Sequence, residues 1–217
     1  MTDWNAGEVP RPRPNRVSPF GVFEAAAYKG ALLGNRGDLH AADGSLGRKR
    51  WLGKAWIACT TAERGTYRVK FDRKGTYFPL FFFDEAVAFA AGHRPCAQCR
   101  RDDYRRFQAA WSVTQRGSAK RPLATAIDAA LHAARLDGRA QRTVAYPAGN
   151  LPDGAFIVDP GDSSQAARIE HGAARRWSHR GYAAAATLDP GTVVIALTPQ
   201  PLLAVLKAGY VIAAPDA

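Results

Sequence analysis

The chain has 217 residues, 47% of them hydrophobic and 23% charged, the balance of a globular protein of one large or two small domains and not of a disordered one. No run of eighteen apolar residues is present, and Met1–Asn5 lacks the charged start and apolar stretch of a signal peptide, so the expected setting is the cytoplasm, without a membrane partner. The formal charge is +11. It is uneven: residues 1–121 hold 22 Lys/Arg against 11 Asp/Glu, and residues 122–217 hold 8 of each. A basic half joined to a neutral one points to a polyanion, most often nucleic acid, as partner of the first half.

The opening run Pro10-Arg11-Pro12-Arg13-Pro14 alternates proline with arginine, so residues 1–20 are expected to be an extended basic arm outside any sheet or helix. From Gly21 to Arg73, short apolar runs are broken by glycine turns such as Gly34-Asn35-Arg36-Gly37 and Asp43-Gly44. That pattern predicts small strands and hairpins, with Ala55 to Cys59 the best strand. Phe78 to Phe83 is a second buried segment. Asp84 reads as the N-cap of a helix from Glu85 to Ala91, which Gly92 terminates. Beyond Cys99, Tyr104, Phe107 and Trp111 fall on one face of a helix whose other face is arginine-rich.

The stretch 115–122 has linker composition and coincides with the charge change, which sets the domain boundaries at 21–116 and 122–217. In the second half, Leu123 to Leu136 reads as a helix, Ala155 to Val158, Ala166 to Ile169 and Thr192 to Leu197 as strands, and Pro201 to Ala208 as a final helix before Gly209. The expected class is α+β. A small hairpin and helix domain stapled by metal precedes a small mixed domain, for which a compact β-barrel is one arrangement. In that second half, His171, Trp177, His179 and Tyr182 form a polar-aromatic group, and Asp128 and His132 stand four apart on one helix.

Three cysteines, two of them as Cys96-Ala97-Gln98-Cys99, argue in a cytosolic chain for a metal site before a disulfide framework. A tight turn can aim Cys96 and Cys99 at one ion, and Cys59, at the end of a strand, is the natural third ligand of a tetrahedral Zn²⁺. The fourth candidates are His40, Asp38, His93 and Glu63. His40 is preferred, because neutral imidazole completes a Cys3His site and a ligand remote in sequence would tie down the first hairpin.

The stretch Phe83 to Arg100, with its Ala91-Gly92-His93-Arg94-Pro95-Cys96-Ala97-Gln98-Cys99-Arg100 knuckle, resembles the metal-binding domain of Ada-type DNA-repair proteins. Asp43-Gly44 followed by a hairpin ending in Trp56-Ile57-Ala58-Cys59 is similar to the strand that delivers the first zinc cysteine there. The likeness spans residues 43 to 107. It implies zinc, DNA and a repair setting, with Cys59 the acceptor if methyl transfer takes place. One departure stands out: where the family has a further cysteine four residues after the first, this chain has Glu63. A four-thiolate zinc leaves excess negative charge on sulfur, and exchanging one thiolate for a neutral ligand lowers the nucleophilicity that transfer requires.

Arg94, Arg100, Arg101 and Arg105 flank the knuckle, and Arg48, Lys49, Arg50 and Lys54 lie on the preceding hairpin. All eight are candidates for phosphate contact, which would make binding salt-dependent. Trp51 and Tyr67 are interleaved with them and can stack on bases or pack in a core. No P-loop, dinucleotide glycine fingerprint or Gly-x-Ser-x-Gly elbow is present, which disfavours nucleotide hydrolysis, Rossmann redox chemistry and the common hydrolases. The leading expectation is a zinc protein that engages DNA in repair. Two others compete with it: a metal-dependent nuclease or repair transferase using Asp38, His40 and Glu63 or Cys59, and a zinc-scaffolded adaptor whose second half holds a protein partner.

Overall fold

The computed structural model describes residues 12–61, 75–115 and 121–212. Three strands, β1 (Pro14–Val17), β2 (Phe23–Ala25) and β3 (Leu32–Asn35), are followed by β4 (Ile57–Thr60), β5 (Leu80–Phe82), helix α1 (Glu85–Ala90) and a two-residue strand β6 (Arg94–Pro95). Helices α2 (Arg101–Thr114) and α3 (Ala124–Arg135) come next. A short hairpin of β7 (Leu136–Asp137) and β8 (Ala140–Gln141) leads to β9 (Val144–Pro147), β10 (Phe156–Asp159), β11 (Asp162–Glu170), β12 (Ala173–Ser178), β13 (Gly181–Thr187), β14 (Val193–Ala196) and helix α4 (Gln200–Lys207). The protein is α+β, as expected.

Two six-stranded sheets organise the chain, one in the order β2-β1-β5-β3-β4-β6 and one in the order β13-β12-β11-β10-β14-β9. The first is mixed, because β1 runs parallel to β5 and β4 parallel to β6. The second is antiparallel and open, its end strands β13 and β9 unpaired with each other among the described residues, so the barrel arrangement is not the one adopted. Part of the basic arm is also structured: Pro14–Val17 pairs with β2 and touches β5. Proline is tolerated there because it stands at the first position of the strand, where a register irregularity follows it. Residues 1–11 of the arm lie outside the described residues.

Helix α1 is the hinge of the packing. Its sequence is apolar all round apart from Glu85, the mark of a helix with no solvent face, and all six of its residues are buried. Asp84 caps it, accepting from the Val87 amide at 2.8 Å, and Gly92 ends it at φ +77°, a left-handed conformation that glycine adopts without a Cβ clash. The core around it crosses the expected boundary. Val17, Leu80 and Phe82 of the first half pack in one cluster with Phe156, Trp177 and Leu197 of the second. A second cluster joins Phe89 and Phe107 and Trp111 of α2 to Ile127 and Leu131 of α3 and Leu202 and Val205 of α4. The change of charge at residues 115–122 therefore falls between two helices that share a core, and residues 116–120 lie outside the described ones.

The polar-aromatic group of the second half serves the same junction. His179 bonds Glu24 of β2 at 2.7 Å, the Tyr182 hydroxyl donates to the Asp84 carboxylate at 2.7 Å, and Trp177 is buried. His171 is separate from them, an exposed turn residue beside Asp153.

Candidate metal centre

Cys59 sits on β4, opposite Leu33 of β3. The parallel register of β4 and β6 pairs Ile57 with Arg94 and Ala58 with Pro95, so the next residues along the chain are Cys59 on β4 and Cys96 just after β6. The Cys96 amide completes the alignment by donating to the Ala58 carbonyl at 3.0 Å. A turn then brings the chain back, with the Arg100 amide on the Cys96 carbonyl at 3.2 Å, and places Cys99 just ahead of α2. All three sulfurs lie within 4.8 Å of one another. They are half-buried and form no disulfide.

The donor chemistry fits a metal ion. A tetrahedral ion with metal–sulfur bonds of about 2.3 Å needs sulfurs within such a span, and the surrounding amides are already turned toward them. The Gln98 and Cys99 amides point at Cys96 Sγ, at 3.4 and 3.5 Å, and the Thr60 backbone bonds Cys99. Such N–H groups orient thiolate ligands and stabilise their charge. Hydrogen bonds from the Cys59 and Cys99 thiols pull the Cys96 thiol far down, while donation to Cys96 and Cys99 pushes Cys59 up. A bound cation would favour the ionised form of all three thiols. Three cysteines that can bind a metal ion are the chemical centre of this structure.

Arg100, adjacent to Cys99, fixes the turn from behind. Its guanidinium donates to Glu85 Oε1 at 2.7 Å and to Asp103 Oδ2 at 2.9 Å, and the Tyr210 hydroxyl donates to the same Glu85 oxygen at 2.8 Å. Burial works against the charge of Arg100, but the Glu85 and Asp103 carboxylates hold its pKa above the ordinary value. Arg94 is locked in the same way, donating from Nε and Nη2 to the two oxygens of Asp128 at 2.7 and 2.8 Å. Both arginines are buried. Two of the eight expected phosphate contacts are therefore structural cations, and Asp128 serves Arg94 instead of His132. The remaining six, Arg48, Lys49, Arg50, Lys54, Arg101 and Arg105, are exposed.

The fourth-ligand candidates among the described residues fall elsewhere. The His40 side chain is 1% exposed, with Nδ1 at 2.7 Å from Asp38 Oδ1 and its ring edge-on to Phe78. Asp38 also accepts from the amides of His40 and Gly75, and these bonds, the His40 side chain's first, hold its carboxyl down at about 2. This pair braces a turn and is not part of the cysteine group. His93 is fully buried, and its Nε2 accepts from Arg36 Nε at 3.1 Å. Burial, with the Arg36 and Arg135 charges, keeps it neutral. Glu63 and Tyr67 lie outside the described residues.

Spacing could not reveal the ion pairs that withdraw Arg94 and Arg100, because they depend on partners that the packing of α1 and α3 brings from elsewhere in the chain. Arg36 and Arg135 were likewise illegible. Each stands over Trp56, its guanidinium carbon 3.8 Å from the ring centre, yet in the sequence one is a turn residue and the other a helix end. Comparison with known protein families, with curated proteins and with solved structures finds no match.

Proposed function

We propose that Cys59, Cys96 and Cys99 hold a zinc ion, and that the basic surface around this centre engages DNA without sequence selectivity in a repair or damage-response setting. The observation that carries the reading is the convergence of three thiols from a strand and a tight turn, with backbone amides directed at the sulfurs. Thiolates in a tetrahedral arrangement are the preference of zinc among the common cellular ions. The ion's contribution is structural: it joins β4, the turn after β6 and the start of α2, and its binding energy is folding energy.

The exposed cations lie on the segments that this centre would stabilise. Arg48, Lys49, Arg50 and Lys54 belong to the connection between β3 and β4, and Arg101 and Arg105 to the first turns of α2. Each one that neutralises a phosphate contributes about 0.9 to the slope of log K against log salt. Nothing in this set reads base edges, so the affinity is expected to follow charge and not sequence.

Elemental analysis of protein purified without added metal is the first test, and close to one zinc per chain is the expected result. Cys96→Ser should lose the ion. Fluorescence anisotropy with a short duplex should then show binding that weakens steeply with salt, and replacing Lys49 and Lys54 with alanine should lower the slope by roughly 2. A folded protein with three titratable thiols and no metal would remove the zinc reading. Affinity unchanged between low and physiological salt would remove the DNA reading.

A further inference from the structure

Positive charge is buried in this fold without a matching negative one. Arg36 and Arg135 are 2% and 1% exposed, and among the described residues neither forms an ion pair. Their hydrogen bonds go to neutral acceptors: Arg36 to His93 Nε2 and the Ala91 carbonyl, Arg135 to the Gly92 and Lys54 carbonyls and to His132 Nδ1. The one carboxylate that helps Arg135 at a distance, Asp128, is held by both oxygens on Arg94. Burial pulls both guanidinium groups below their ordinary range, Arg135 to about 9, and the charge of Arg135 depresses Arg36 further. A buried, uncompensated pair of like charges is costly. Strongly perturbed groups that line a cleft mark a candidate functional site.

Both arginines line a cleft of about 430 Å³, within the range of small-molecule sites. Arg50 and Arg139, both exposed, also line it, and no acidic residue does so among the described residues. Aromatic surface is present too, from the half-buried rings of Trp51 and Phe23. Three buried polar atoms of lining residues have no hydrogen-bond partner among the described residues: the donors Arg135 Nε and Trp56 Nε1, and the acceptor Gln141 Oε1. Gln141 is pinned, its amide nitrogen within 3.1 Å of the carbonyls of Pro19, Ala90 and Leu197, so its oxygen is fixed toward Gly21. Glycine is required at that point, since φ is +71° and a Cβ would come within 2.8 Å of Gln141 Oε1. The donors suit an anion, the rings suit a planar apolar group, and the acceptor suits a ring amino or imino group.

We propose that this cleft binds a nucleotide, its base packed against Trp51 and Phe23 with Gln141 Oε1 accepting from it, and its phosphate on Arg36 and Arg135. Arg50 and Arg139 draw the anion in. The cleft uses none of the three cysteines, so this assignment goes beyond the metal reading and does not depend on it.

The test is a titration of the full-length protein with nucleoside 5′-monophosphates of the four common bases, followed by tryptophan quenching and calorimetry, alongside the matching nucleosides and inorganic phosphate. At least one monophosphate should bind at least about tenfold more tightly than its nucleoside and than phosphate, as a charge-assisted contact added to ring packing requires. The Arg50→Ala/Arg139→Ala double variant, altered only at exposed positions, should weaken that binding by about tenfold or more with unchanged metal content. Arg36→Gln should abolish it. If that buried substitution fails to fold, the wild-type comparison and the double variant still decide. A 5′-phosphorylated oligonucleotide that competes, where its unphosphorylated form does not, would identify a strand end as the source of the nucleotide. Nucleoside binding as tight as monophosphate binding, phosphate alone binding as tightly, or no binding by any probe would each overturn the proposal.

Discussion

Replacing one member of the Arg94–Asp128 pair should destabilise the protein more than replacing both. The pair is a bidentate contact between β6 and α3, with side-chain exposures of 4% and 9%, and Arg94 also lies over the Tyr104 ring. Asp128→Ala leaves a buried guanidinium unpaired, and Arg94→Ala leaves a buried carboxylate unpaired. Each should cost about 3–5 kcal/mol, the usual penalty for breaking a buried pair from one side. An Arg94→Met/Asp128→Leu variant removes both charges and keeps most of the apolar volume, so its cost should be at least about 2 kcal/mol less than that of either single. Urea unfolding at pH 7 measures all four proteins. In thermal terms each single variant should fall by roughly 10 °C, at about 2–4 °C per kcal/mol for a chain of this size. The double variant should also keep the wild-type dependence of DNA binding on salt, because Arg94 is not available to phosphate. Losses that add within about 0.5 kcal/mol would refute the pairing argument, and a flattened salt dependence would return Arg94 to the DNA surface.

Other predictions concern the second sheet and α1. Asp159 is held below the ordinary carboxylate range by its hydrogen bond from Arg176. A depressed folded pKa contributes stability above the unfolded value, near 4, and that stability is lost as pH falls through the folded value. Asp159→Asn should therefore be less stable than wild type by up to about 1 kcal/mol at pH 7, with the gap closing as pH falls below the unfolded value; a gap independent of pH in urea titrations would contradict this. Asp84→Ala removes the cap of α1 and leaves the Tyr182 hydroxyl without its acceptor, for a combined cost of about 2–4 kcal/mol by chemical denaturation. A loss below about 0.5 kcal/mol would show that α1 is held by packing alone. Gly92→Ala should cost at least about 1 kcal/mol, since φ is +77° and a Cβ would meet Arg135 Cδ at 2.7 Å, and it should also perturb tryptophan fluorescence from Trp56.

Local signals in the sequence were sufficient where one element decides its own conformation. Asp84 and Gly92 bracket α1 because a capping carboxylate and a left-handed glycine act within a turn. Tyr104, Phe107 and Trp111 face the core because helical periodicity needs no knowledge of the partner. Cys96 and Cys99 were recognisable by spacing, and Cys59 by its place at a strand end. Strands β12 and β13 were not. Ala173–Ser178 carries two arginines and Gly181–Thr187 four successive alanines, residues with little preference for strands, and they extend only because β11 offers a ladder to pair with.

What a residue does once placed was decided by the tertiary structure. Arg94, Arg100, Arg101 and Arg105 look alike in the sequence, yet the first two are neutralised inside the fold by Asp128 and Glu85, while the other two remain in solvent. His40 has the chemistry of a metal ligand but is turned onto Asp38 and Phe78. Arg36 and Arg135, unremarkable in sequence, each stack on Trp56, and among the described residues neither forms an ion pair. The physical reason is the same in each case. Secondary structure and a two-cysteine turn depend on neighbours within a few residues, whereas the state of a charge depends on what the fold brings beside it from anywhere in the chain.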